Sequence, residues 1–196
     1  MDFLLLNVGN THTAWVSSDA SGNFSNSGSV DTAAWMENVL LLPEVDCKVN
    51  VWGACVVPLA KMMLEKSAYY KNIQWVDCTK ASAAGVDFSL IDNSTIGADR
   101  VANAVALLKY PLPAANLDCG TAVTLEVVLE NGVFAGGAIM PGRKLMRRSL
   151  AAGPGALPEI PISFTLPEEL GRNTADALQL GSIGGQSAWW KILSIC

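Results

Sequence analysis

Two segments of the chain repeat one another 111 residues apart. Asn7-Val-Gly-Asn-Thr11 follows the apolar run Phe3 to Leu6, and Asp118-Cys-Gly-Thr-Ala122 follows Ala114 to Leu117. Each polar turn leads into a second apolar stretch (Thr13 to Val16; Val123 to Leu129), then a glycine turn (Ser21-Gly-Asn23; Glu130-Asn-Gly132), then a third stretch (Phe24 to Val30; Val133 to Ile139). One such turn alone reads as an ordinary strand connection. A whole supersecondary unit repeated with matching flanks instead implies duplicated lobes. Glycine lets backbone N–H groups converge, and beside a threonine hydroxyl they form a cradle for a phosphate oxygen. Two cradles, one per half-chain, imply a nucleotide held in a cleft between the lobes.

The rest of the sequence is consistent with a compact enzyme-sized chain. Its 196 residues are 51% hydrophobic and 16% charged, which excludes disorder. No apolar run approaches the roughly 18 residues of a membrane span, and Met1 to Leu6 meets a polar turn too early for a signal peptide, so a cytoplasmic protein without a membrane partner is expected. A net charge of −5 argues against nucleic acid as a partner. Cys47, Cys55, Cys78, Cys119 and Cys196 are scattered, odd in number and without CxxC spacing, so they read as reduced thiols rather than a zinc site or disulfide framework. The single histidine, His12, excludes histidine pairs and lies in the first turn.

The first lobe is expected over residues 1–110 and the second over 111–196. In the first, Asp31 is placed to cap a helix from Thr32 to Leu41, a strand follows at Lys48 to Trp52, and a helix from Pro58 to Tyr70 would bury Leu59, Met62 and Met63 beside Ile73. Ile73 to Val76 reads as a strand. Gly97 to Lys109 reads as a helix with Val101, Val105 and Leu108 on one face. In the second lobe, Gly136 to Gly142 opens a helix whose cluster Arg143, Lys144, Arg147 and Arg148 reads as a solvated face near the phosphate cleft, and Gly171-Arg-Asn-Thr174 introduces a last helix from Ala175 to Leu180, extending towards Trp190.

Asp99 is the candidate catalytic residue. A carboxylate in a first helical turn is often only a helix-dipole partner, but Gly97 here admits a ligand closely and Arg100 offers a fork for an anion. Asp99 can then accept the proton of an attacking alcohol.

Taken together, Asn7-Val-Gly-Asn-Thr11, Gly97-Ala-Asp-Arg100, Asp118-Cys-Gly-Thr-Ala122, Gly136-Gly-Ala-Ile139 with Pro141-Gly142, and Gly171-Arg-Asn-Thr174 resemble, in order and spacing, the type III pantothenate kinases. The resemblance covers nearly the whole chain. It implies an α/β fold of duplicated ribonuclease H-like lobes, as in actin, sugar kinases and heat-shock ATPases, and ATP-dependent phosphorylation of pantothenate to 4′-phosphopantothenate, the first step of coenzyme A biosynthesis. On that resemblance Asp99 is the proton acceptor; Gly97, Ala98, Asp99 and Arg100 line the pantothenate pocket; and Thr174 reaches it from the other subunit of a homodimer. Asn7, Val8, Gly9, Asn10, Thr11, His12, Thr13, Ala14 and Thr121 hold ATP with Mg²⁺, and Asp118 ligates K⁺ or NH₄⁺.

The chain departs from the family pattern at four places. Asn7 stands where an Asp is usual, Leu90 where a pocket Tyr is usual, and Glu126 where an Asp is common. The sequence stops at Cys196, where relatives continue into a further strand, a Gly-Gly loop and closing helices, so the second lobe is expected to be shortened. The resembling family also includes Bvg accessory factors linked to transcription, and a kinase-fold binding or regulatory protein with impaired catalysis is the alternative reading.

Overall fold

The computed structural model describes residues 2–153, 155, 157–161, 165 and 170–193, with residues 185–193 described by backbone alone. The first repeat forms three strands, β1 (Phe3–Val8), β2 (His12–Ser18) and β3 (Phe24–Asp31), antiparallel in sequence order. β4 (Asn50–Cys55) adds parallel to β1, and the two-residue β5 (Gln74–Trp75) adds parallel to β4, giving the order β3-β2-β1-β4-β5. The register, from Phe3 opposite Asn50 to Val8 opposite Cys55, sets the span of β4, which starts and ends later than Lys48 to Trp52. The second repeat forms β6 (Ala114–Cys119), β7 (Ala122–Val128) and β8 (Phe134–Pro141), with β7 in the middle as β2 is in the first meander.

Helices fill the connections. α1 (Thr32–Glu37) starts where expected, with the Asp31 carboxylate accepting from the Ala34 N–H at 3.2 Å. It stops early because Asn38 is extended and its side chain caps a separate 3-10 turn, Val39–Leu41, so the helix expected to reach Leu41 is two pieces. α2 (Pro58–Lys66) begins on a proline that suits a first helical position and ends at the extended Ser67 rather than at Tyr70. Its buried row is Ala60 and Leu64; Leu59 and Met62 are 57% and 49% exposed, which corrects the expected apolar side. Ala60 and Leu64, four apart, face the sheet, and Leu59 and Met62 fall on the outer flank.

α3 (Cys78–Ala83), which the sequence pattern did not reveal, is capped by Asp77 accepting from the Lys80 N–H at 2.8 Å. α4 (Ala98–Leu107) follows Gly97, α5 (Arg143–Ala151) follows Gly142, and α6 runs Thr174–Leu193. None of the described helices is long and apolar enough to cross a membrane. Cys47, Cys55, Cys78 and Cys119 are free thiols.

The chain divides into two compact units, residues 1–117 with 124–138, and residues 118–123 with 139–196. Within the first, Leu4, Leu6 and Val8 point from one face of β1 into a core with Trp35, Ala60, Leu64 and Tyr70. A second core joins Val101, Ala104 and Leu107 of α4 to Phe88, Val128 and Phe134. The i, i+3 spacing of the α4 residues makes this one stripe of the helix and leaves another stripe for other contacts.

Candidate active site

The first polar turn is fixed from behind. The Trp35 indole N–H donates to Thr13 Oγ1 at 2.6 Å, the Thr13 and Thr32 hydroxyls lie 3.0 Å apart, and Thr32 Oγ1 donates to the Gly9 carbonyl at 2.8 Å. A hydroxyl has one proton, so the direction of the chain is settled: Trp35 to Thr13 to Thr32 to Gly9. The Gly9 N–H meanwhile closes the turn on the His12 carbonyl at 3.0 Å, and the Thr32 N–H donates to the Thr11 carbonyl at 2.9 Å. Asn7, Asn10, His12 and Ala14 are exposed, Gly9 and Thr11 are half-buried, and Val8 and Thr13 point inwards. The side chains of those last two therefore shape the turn and do not face solvent.

Beyond the turn, a cavity of about 410 Å³ opens on the face of the first sheet opposite the α1–α2 core. Two cross-strand rows form its floor: Val16, Leu5 and Trp52, then Ala14, Asn7 and Ala54. The free stripe of α4 supplies Asp99, Ala102 and Asn103. An apolar floor with a few polar groups converging on it has the character of a small-molecule site. Asn7 and Asp99, far apart in sequence, thus line one cavity.

Asp99 sits in the first turn of α4 with Oδ1 accepting from the Arg100 N–H at 2.8 Å. A Cβ on Gly97 would lie 2.5 Å from that same oxygen, so the glycine ahead of the aspartate is what lets the carboxylate fold back over the helix start. Arg100 turns away from the free position expected of it: Nε donates to Glu126 Oε1 at 3.0 Å, Nη2 to the Leu125 carbonyl at 3.4 Å, and the guanidinium stands 5.8 Å over the Phe134 ring. Glu126 is 0% exposed and also accepts from Asn103 Nδ2 at 3.3 Å and Asn116 Nδ2 at 3.0 Å. In the sequence Glu126 stands out only as a departure; its signal was the one charged residue in the run Ala122 to Val128. Gly137 completes the arrangement, since a Cβ there would lie 2.9 Å from Arg100 Nη2 and 1.7 Å from the Leu125 carbonyl oxygen.

In the second unit, Asp118 and Thr121 are exposed on the second polar turn. The Gly120 N–H donates to the Ala122 carbonyl at 2.9 Å, and the Gly142 N–H to the Thr121 carbonyl at 2.8 Å. A Cβ on Gly142 would lie 2.2 Å from the Gly120 carbonyl oxygen, so only glycine fits. Thr174 is exposed at the first position of α6, whose start is fixed reciprocally: the Asp176 N–H donates to Asn173 Oδ1 at 2.9 Å, and Asn173 Nδ2 donates to Asp176 Oδ2 at 2.7 Å. Gly171 packs against the same turn, where a Cβ would lie 2.3 Å from the Ala177 nitrogen. The basic cluster on α5 is not uniformly solvated as expected. Arg147 is 3% exposed, with Nε donating to Ser182 Oγ at 3.3 Å, and burial beside Arg143 pulls its pKa below the usual arginine value. Leu90, in place of the usual pocket tyrosine, is 66% exposed. Among the described residues no group of three or more His, Cys, Asp or Glu side chains is placed to hold a metal ion.

This α/β arrangement of two sheets is shared with a solved Baf family transcriptional activator from Campylobacter jejuni, with a TM-score of 0.61 at 18% identity over 96% of this chain and 77% of that one. A profile of the family described as type III pantothenate kinase matches residues 3–191. Relatives named type III pantothenate kinase include one from Kosmotoga olearia, 31% identical over 93% of this chain and 74% of its own length, and one from Caulobacter vibrioides, 29% identical over 94% and 76%. The chain belongs to the type III pantothenate kinase family. Membership implies a kinase that uses ATP and a divalent metal, and does not favour the non-catalytic alternative.

Proposed function

We propose that the chain phosphorylates pantothenate at its terminal hydroxyl with ATP, giving 4′-phosphopantothenate for coenzyme A synthesis, and that Asp99 is the general base. The observation that carries this reading is the shared cavity of Asn7 and Asp99, with an apolar floor suited to the geminal methyl groups of pantothenate. Oδ1 of Asp99 is held by the Arg100 N–H, so Oδ2 is the oxygen that takes the alcohol proton. As the alcohol oxygen bonds to the γ-phosphorus, the bond from that phosphorus to the β,γ-bridging oxygen breaks and ADP leaves. Positioning and charge neutralisation supply most of the rate in such transfers.

The braced turn from Asn7 to Ala14, with Thr121, would hold the ATP phosphates. Asn7 would offer a neutral oxygen, where a carboxylate is usual, to the Mg²⁺ that ATP phosphates carry. The exposed Asp118 carboxylate, without a hydrogen-bond partner among the described residues, suits K⁺ or NH₄⁺ as a ligand. Arg100 Nη1 is the guanidinium nitrogen left for the pantothenate carboxylate. The exposed Thr174 would complete the pocket of a second copy in a homodimer, working in the cytoplasm.

A coupled assay for ADP release tests the reading. With ATP, Mg²⁺ and K⁺ present, release must depend on added pantothenate. Release that is absent, or indifferent to pantothenate, would refute it.

A further inference from the structure

Glu126 is a fully buried carboxylate whose three side-chain partners come from two other elements: Arg100 and Asn103 from α4, and Asn116 from β6. Burying a carboxylate is costly unless it is paired and hydrogen-bonded, and this one is both. We infer that Glu126 is a positioning residue for the phosphoryl-transfer site, holding Arg100 so that its free Nη1 edge and the neighbouring Asp99 keep one geometry. The inference rests on the pantothenate reading above.

The guanidinium is held at Nε, at Nη2 and on one face, which leaves Nη1 open. Glu126 takes Nε, the Leu125 carbonyl takes Nη2, the Phe134 ring lies beneath, and Gly137 leaves the space that Nη2 occupies. An arginine held this way meets an anion with little loss of side-chain freedom. Two further facts tie the carboxylate to the cavity rather than to packing alone. Asn103, which Glu126 also holds, is itself a cavity residue, and Arg100 is the next residue after Asp99 and donates its backbone N–H to that carboxylate. Loss of Glu126 would therefore release two neighbours of the cavity at once.

The consequence is a specific split between substrates. Glu126→Gln keeps the shape and an acceptor oxygen but removes the charge that fixes Arg100, so KM for pantothenate should rise roughly tenfold to hundredfold, the scale of a misplaced positioning group, while KM for ATP stays within about twofold. A merely structural role would lower the amount of active protein and leave both KM values alone. Unchanged KM for pantothenate, or an equal rise for both substrates, overturns the inference.

A stability cycle judges the pairing independently of any turnover. Arg100→Met alone leaves a buried carboxylate without its cation, so it should lower Tm more than the double variant Arg100→Met with Glu126→Gln. Additive losses overturn the pairing. A protein without pantothenate-dependent turnover that still shows this cycle would refute the functional reading, and with it the positioning role, while the pairing of Arg100 with Glu126 stands; the two tests fail separately.

Discussion

The two polar turns share a sequence pattern but are supported differently. The first is backed by side chains: a relay of hydroxyls from Trp35 through Thr13 and Thr32 ends on the Gly9 carbonyl, and its residues Val8 and Thr13 are buried. The second has exposed residues from Asp118 to Thr121, and a backbone bond from the Gly142 N–H to the Thr121 carbonyl closes it, with the glycine pressed against Gly120. A repeated motif thus fixes the path of the chain without fixing what braces it. The brace is written elsewhere, in Thr32 and Trp35 for one turn and in Gly142 for the other.

That contrast can be broken from either side. The largest stability effect is expected at the second turn, where Gly142→Ala places a methyl against two backbone carbonyls that cannot swing aside; urea unfolding should show a loss of about 3 kcal/mol, the upper range for overpacking. A loss under about 1 kcal/mol would mean that the backbone there yields. At the first turn, Thr13→Val keeps the shape but deprives the buried Trp35 indole of its acceptor and Thr32 of its donor. About 2 kcal/mol should be lost. Wild-type stability in that variant would show that the relay does not brace the turn.

The smallest change sharpens the comparison chemically. Asn7→Asp restores at the first turn the carboxylate that the second turn has in Asp118, and a charged oxygen near the phosphates should lower the Mg²⁺ concentration needed for half-maximal activity. Identical Mg²⁺ dependence in both proteins would remove Asn7 from the metal's surroundings.

Much of this was legible in the sequence. Alternating apolar residues and glycine turns marked both meanders, Asp31 marked the start of α1, and Gly97 to Arg100 marked the start of α4. What stayed hidden depended on tertiary partners. The buried row of α2 is set by which residues face the sheet at β4, so the small Ala60 lies inside while Leu59 and Met62 stay outside. α3 is short, and Cys78 to Ala83 has no apolar period to announce it. Arg100 looked like a free fork because Glu126, 26 residues later, is brought to it only by the packing of α4 against β7.

Asp99 carries the central claim, and the most direct measurement is the turnover of Asp99→Asn with pantothenate and ATP binding measured on the same protein. The amide keeps the size of the side chain and an oxygen for the Arg100 N–H but cannot take a proton from an alcohol. Turnover should fall by about a hundredfold or more while both substrates still bind. Turnover close to that of the wild type would contradict the assignment of Asp99 as the base.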